Sequence, residues 1–304
     1  MRPWTRNALT LLAVSAAALP AQTAKSIPLV LRLPAGARLL ALGNAGVAGR
    51  DDDVLFYNPA QLVVVRGSTI SAQRFAPGNA TGALSTVFAF AGGGIGIGAQ
   101  WLGFSTETPI YPYSAASLDT TGTLTASSVA ATIGVGKAFK GIRFGFAGKV
   151  AQETAPQARS TRSYFDIGLE KDFRQFFGVG LSVQNLSPFG AARGWEPTRV
   201  TLGTMAATSL VNLLPVSPFL DAALAGQVTM LHDGWIKPAG GVELGVAWLQ
   251  GYALTLRAGA RRPEPGERPL TAGAGFNADR VRLDYALETR ERGHLAHRIG
   301  VRVQ

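Results

Sequence analysis

The sequence contains no cysteine. That absence excludes a disulfide-stapled scaffold and any thiolate metal centre. Charge is scarce, at 16% of residues, and acid is the scarcer sign: 19 Asp and Glu stand against 29 Lys and Arg, a formal charge of +10. Histidine is limited to His232, His294 and His297. The last two are three apart and fall on opposite faces of an extended strand, so no metal and no cofactor is expected. No apolar run reaches the length of a membrane-spanning helix, so an integral membrane protein built from this chain has to be a β-barrel. Ser, His and Asp occur without the motif context of a catalytic triad, and nothing points to an enzyme. The cations are scattered singly, without the basic stripe that nucleic acid requires. Their surplus suits contact with the anionic headgroups of outer-membrane lipid.

What the chain has in quantity is glycine, 37 residues, and alternation. The first residues read as an address. Arg2 and Arg6 precede an apolar run of about a dozen residues, Ala8 to Leu19, too short to cross a bilayer. Pro20 and Ala21 follow. Residues 1–21 are therefore expected to be a secretory signal peptide cleaved after Ala21, directing the chain to the cell outer membrane.

From Gly67 onward the period is two. Ile142, Phe144 and Phe146 alternate with Arg143, Gly145 and Ala147. Val242, Leu244, Val246 and Trp248 alternate with Glu243, Gly245 and Ala247. One face is apolar and the other is small or charged. The segments run about ten residues, the length of a tilted membrane strand. Aromatic residues near segment ends (Trp101, Phe173, Trp248, Tyr252) suit an interfacial girdle. Short connections, such as 91–93 and Phe139-Lys140, alternate with longer ones, such as 106–123 and 187–197. The expected fold is all-β: a monomeric transmembrane antiparallel β-barrel of about 14 strands over residues 67–304, with its longer connections outside.

The charged face carries both signs, at Arg143, Lys149, Asp166, Glu170, Glu243, Arg257, Arg282, Asp284, Glu288, Arg298 and Arg302. Such residues can pair across neighbouring strands or solvate a lumen, and pairing is the favoured reading, with Arg298 and Arg302 facing Asp284. The cluster Gly92, Gly93, Gly94, Gly96 and Gly98 superficially echoes a nucleotide-binding loop. A strand follows it rather than a helix, so it reads as a tight turn and close packing on an inward face. In the longest loop, Ile110, Tyr111 and Tyr113 form an apolar patch that could contact a ligand or partner or equally fold back over the barrel mouth.

Residues 22–66 break the pattern. Leu39 to Ala48 can be helical, but Gly43, Asn44 and Gly46 make a poor isolated helix that needs a wall to pack against. Asn58 before Pro59 fits a capped helix start. The acidic run Asp51, Asp52 and Asp53 could bind a divalent cation, but a solvated or Arg-paired loop is favoured. A compact non-strand segment ahead of a strand array reads as an amino-terminal plug, or hatch.

The stretch ARLLALGNAGVAGRDDDVLFYNPAQL, Ala37 to Leu62, resembles the amino-terminal signature of the PorV/PorQ-type outer-membrane proteins, within the FadL-like β-barrel superfamily. The matching residues include Gly43, Gly46, Asp52, Asp53, Asn58, Pro59 and Ala60. FDIGLEKDF with VGLSVQNL (Phe165 to Leu186) and RLDYALE with GHLAHRIGVRV (Arg282 to Val303) are similar to the same group. The PorV/PorQ resemblance implies an accessory of protein secretion and surface export, of type IX kind, with exported proteins as partners. The wider FadL-like resemblance implies the alternative: transport of hydrophobic small molecules, with Leu39, Leu42, Leu55 and Phe56 as candidate ligand contacts. A purely structural barrel is the third reading.

Overall fold

A computed structural model describes residues 27–49, 53–76, 79–109, 121–155, 158–173, 177–187, 199–209, 219–231, 234–248, 251–263, 267–290 and 294–304. The expected signal peptide, Asp51, Asp52, His232 and the loop residues Ile110, Tyr111 and Tyr113 lie outside the described residues. Fourteen strands form one closed barrel: β1 (Gly67–Ala76), β2 (Asn79–Phe90), β3 (Gly93–Pro109), β4 (Thr121–Phe139), β5 (Ile142–Ala155), β6 (Ala158–Phe173), β7 (Phe177–Leu186), β8 (Arg199–Ser209), β9 (Phe219–Leu231), β10 (Ile236–Ala247), β11 (Tyr252–Arg261), β12 (Glu267–Ala278), β13 (Val281–Arg290) and β14 (Leu295–Val303). Each strand pairs antiparallel with its sequence neighbours, and β1 closes on β14 with Ser68 opposite Val303 and Arg74 opposite His297.

The burial pattern is that of a membrane barrel. On β14, Leu295, Ile299 and Val303 are exposed while Ala296, Arg298 and Arg302 are buried. Leu244 and Leu270 are about 60% exposed, whereas Asp166 and Arg298 are fully buried. An apolar belt of this extent facing water would forfeit roughly 1.5–3 kcal/mol per large side chain, so its medium is hydrocarbon. Arg143, Lys149, Asp166, Glu170, Arg257, Asp284, Glu288, Arg298 and Arg302 are buried on the inward face.

Short turns cluster at one end. Ala91-Gly92 and Lys140-Gly141 link adjacent strands with positive φ at both positions, the type I′ geometry that matches strand twist. Phe173, Trp248 and Tyr252 stand exposed at this end, and Tyr252 stacks on Phe276. Trp101 departs from the expected girdle. It sits in the middle of β3, and its indole covers Gly82 on β2. The 106–123 connection is also shorter than expected, because β3 and β4 continue pairing outward until Pro109 meets Thr121.

Buried apolar side chains lie between residues 27–66 and the inner wall. Leu39, Leu55, Phe56 and Leu62 pack with Ala83, Val87 and Ala147. Val30 and Leu31 pack with Leu102, Ala130, Ala151 and Tyr164.

Candidate functional site

The amino-terminal segment runs inside the barrel, from the long-connection end to the short-turn end. It starts with a 3-10 turn, Leu29–Leu31, in the outer cluster around Leu102 and Tyr164. One turn of helix, α1 (Ala37–Ala41), then lies against β11–β14. Two more 3-10 turns follow, Val54–Phe56 and Pro59–Val63, and the latter lies against β3–β6. The chain leaves past Arg66 into β1.

The helix expected over Leu39 to Ala48 stops at Ala41. Gly43 and Asn44 both take left-handed φ, 69° and 68°. That reversal brings the Gly43 backbone against the carbonyls of Gly240 and Ala260, where a Cβ has no room, and Gly43 N donates to Thr271 Oγ1 at 3.1 Å. Gly46 and Val47 then donate their N–H groups to Gln227 Oε1 at 3.0 and 3.2 Å.

Asn58 caps as expected and does more. It is fully buried, its Oδ1 accepts from Ala60 N at 3.1 Å, and its Nδ2 donates to Val47 O at 2.7 Å and to Leu169 O on β6 at 3.2 Å. Pro59 occupies the first position of the turn, and Ala60 is fully buried behind it. Asp53 turns inward and accepts from Ser85 Oγ on β2, so it is not a solvated loop acid.

The wall is shaped to this segment by its glycines. A Cβ at Gly94 would fall on Leu62 O, at Gly145 on the Pro59 carbonyl carbon, at Gly168 on Asn58 Oδ1 and at Gly180 on Val47 O. These glycines let two backbones approach as no other residue would. Close inward packing at Gly94, Gly96 and Gly98 is as the sequence suggests.

Inward charges pair. Arg38 on α1 makes a two-point contact with Glu243, Nε–Oε2 and Nη2–Oε1 both 2.9 Å. Glu243 also accepts from Arg257, which reaches Asp284 at 2.7 Å, and Arg282 joins Asp284 at 2.9 Å. Elsewhere Arg143 holds Glu170 and Asp172, each at 2.6 Å, and Lys149 holds Asp166 at 2.6 Å. Ionised groups taken out of water need such partners. Arg298 does not face Asp284, because the register sets it opposite Ala286 and Gln73. It donates to Gln73 Oε1 at 3.1 Å and to Ala35 O at 2.5 Å.

Tyr57 knots the segment together. Its Oη accepts from Ala35 N at 3.0 Å and donates to Asn44 Oδ1 at 2.6 Å. Burial pushes its pKa up to about 12. Neither this role nor that of Arg38 was legible from sequence, although an arginine inside the apolar run Ala37–Leu42 signalled a buried partner.

Two spaces open on the long-connection side. One, of about 340 Å³, lies among Leu29, Phe104, Ser128, Glu153 and Arg162. The other, of about 80 Å³, lies between the segment and β7–β11, with Leu33, Val47, Tyr57 and Leu231 among its walls and Arg199 and Lys237 at its edge. Leu39, Leu42, Leu55 and Phe56 line neither. Leu42 presses on Gly241, Leu55 on Gly96 and Gly134, and Phe56 on Gly98.

No protein-family model matches the sequence, and no curated protein sequence does. Solved structures do match in fold. The TodX deltaS2S3 mutant monoaromatic hydrocarbon channel superposes with a TM-score of 0.57 at 12% identity, over 88% of this chain and 97% of that one. The Pseudomonas putida toluene transporter TodX gives 0.55 at 12% identity, over 89% and 97%. The CymD monoaromatic hydrocarbon channel gives 0.55 at 10% identity, over 89% and 97%. The chain thus shares the barrel fold of these channels across nearly its whole described length.

Proposed function

We propose that this protein is an outer-membrane channel for small hydrophobic molecules, reached after signal-peptide-directed export, with residues 22–66 as its plug. The observation that carries this reading is the fold held in common with three hydrocarbon channels over almost all of both chains. The seating of the amino-terminal segment supports it. A barrel filled this way blocks free diffusion of water-soluble solutes, yet leaves partly apolar spaces open toward the outside. A hydrophobic solute would enter beside Leu33, Val47 and Leu231, and its onward passage requires the turn at Gly43–Gly49 to shift.

The secretion accessory remains the reading drawn from the PorV/PorQ resemblance, and the three hydrocarbon channels do not speak for it. Uptake of labelled toluene by cells that do or do not carry the barrel separates the two. Faster uptake of toluene, with no change for a hydrophilic sugar, supports the channel. Unchanged uptake, with a stoichiometric exported protein copurifying with the barrel, overturns it in favour of secretion.

A further inference from the structure

The barrel's outward face is not evenly charged. At the long-connection end, basic side chains gather on one arc, from β10 round to β1. Arg74 stands exposed near the end of β1, opposite His297 of β14. His297 Nδ1 lies 2.6 Å from Tyr285 Oη on β13. Arg268 stands exposed at the start of β12. Arg262, just past β11, lays its guanidinium over the exposed ring of Trp235, 4.7 Å from the centroid. Arg74 and Arg268 reach no acidic partner among the described residues. On this arc the carboxylates Glu243, Asp284 and Glu288 point into the lumen. Directly below the cations the outward face is apolar, with Ile70, Leu270 and Ile299 exposed. At the same end of β4 and β5 the outward positions are neutral, Ser127, Gln152 and Thr154. Arg159 on β6 is engaged by Gln152 at 2.7 Å.

We propose that this arc is a binding surface for a phosphorylated glycolipid of the outer leaflet. Guanidinium groups match phosphate oxygens in shape and charge. Trp235 sits where an interfacial aromatic meets the headgroup layer, and the apolar belt below offers a continuous bed for acyl chains. Long connections mark the external side of such barrels, which puts the arc in the outer leaflet. The site is on the lipid face, so it is independent of what the lumen carries, and toluene uptake tests the one without testing the other.

The test is native mass spectrometry on the delipidated barrel, mixed with bis-phosphorylated lipid A, its dephosphorylated counterpart, or inorganic phosphate as competitor. The wild type is expected to retain the phosphorylated lipid in preference to the dephosphorylated one. The double variant Arg74→Gln/Arg268→Gln should lower that retention at least about tenfold, as expected for two cations facing anionic headgroups. Arg159→Gln, on the other side, should leave it unchanged. Heat-modifiable migration confirms that each variant is folded. Equal retention of both lipids, or retention undiminished in the double variant, overturns the proposal. Displacement of the lipid by millimolar inorganic phosphate also overturns it, by showing a free-anion site instead.

Discussion

Arg38 of the amino-terminal segment and Glu243 of β10 meet through two parallel hydrogen bonds, both 2.9 Å, and Glu243 is shared with Arg257 of the next strand. The segment is thereby wired into the charge network of the wall. Removing Arg38 leaves Glu243 with fewer partners in a nearly dry site.

Arg38→Ala is expected to destabilise the segment by about 2–3 kcal/mol, below the full penalty of breaking a deeply buried pair, because both side chains keep slight solvent access. A double-mutant cycle with Glu243→Gln, read by urea-dependent proteolysis of residues 27–66, should give a coupling of at least about 1 kcal/mol. Additive effects would show that the pair contributes no linkage.

Gly168→Ala places a Cβ on the buried amide of Asn58. Overpacking of this kind costs about 1–3 kcal/mol and should displace the segment, so single-channel conductance in planar bilayers should rise. Gly103→Ala, which meets nothing within 4 Å, should leave conductance as in the wild type. Identical traces for the two variants would count against close packing as the seal.

Asn58→Ala removes the cap at Ala60 and the ties to Val47 and Leu169. The cap alone is worth about 1 kcal/mol, and the lost donations to Val47 O and Leu169 O add to it, although Val47 O keeps Gln61 Nε2 at 3.0 Å. Protease should cut near residues 50–58 faster in the variant while the barrel stays intact. An unchanged cleavage rate would remove Asn58 from the set of anchoring residues.

The Tyr57 phenol, raised from an ordinary value of 10.0 to about 12 by burial, links the segment to pH. A folded pKa above the unfolded one means that the stabilisation is complete below about pH 10 and is lost as pH climbs through 12. Ultraviolet titration should show a late-ionising tyrosine that disappears in Tyr57→Phe. A titration curve unaltered by that substitution would place the late phenol elsewhere.

The barrel could be read from the sequence because its signal is local. Alternation in Val242–Trp248 or Val281–Leu287 depends on neighbours in the chain alone, and Asn58-Pro59 carries its own capping chemistry. The path of the segment is not local. Leu39, Leu42, Leu55 and Phe56 could as well have faced a cavity; wall glycines opposite the last three, and Gly46 within the segment for Leu39, decide that they pack. The end of α1 is legible only in part for a related reason: Gly43 and Asn44 are poor helix formers in any context, but they turn the chain here to satisfy β10–β12, strands more than a hundred residues away. Arg298 shows the same limit, since its partner carbonyl, Ala35, belongs to the opposite end of the sequence.

That last contact bears on the order of assembly. Arg298 lies on β14, the strand whose pairing with β1 completes the cylinder, and it grips the carbonyl of Ala35 inside. Glycine backbones hold the segment too closely for it to be threaded through a finished ring. The segment is therefore expected to lie at the centre before β14 meets β1, so that the final seam zips shut onto a mandrel already in place; protease protection of residues 27–66 arising only after the seam closes would count against this order.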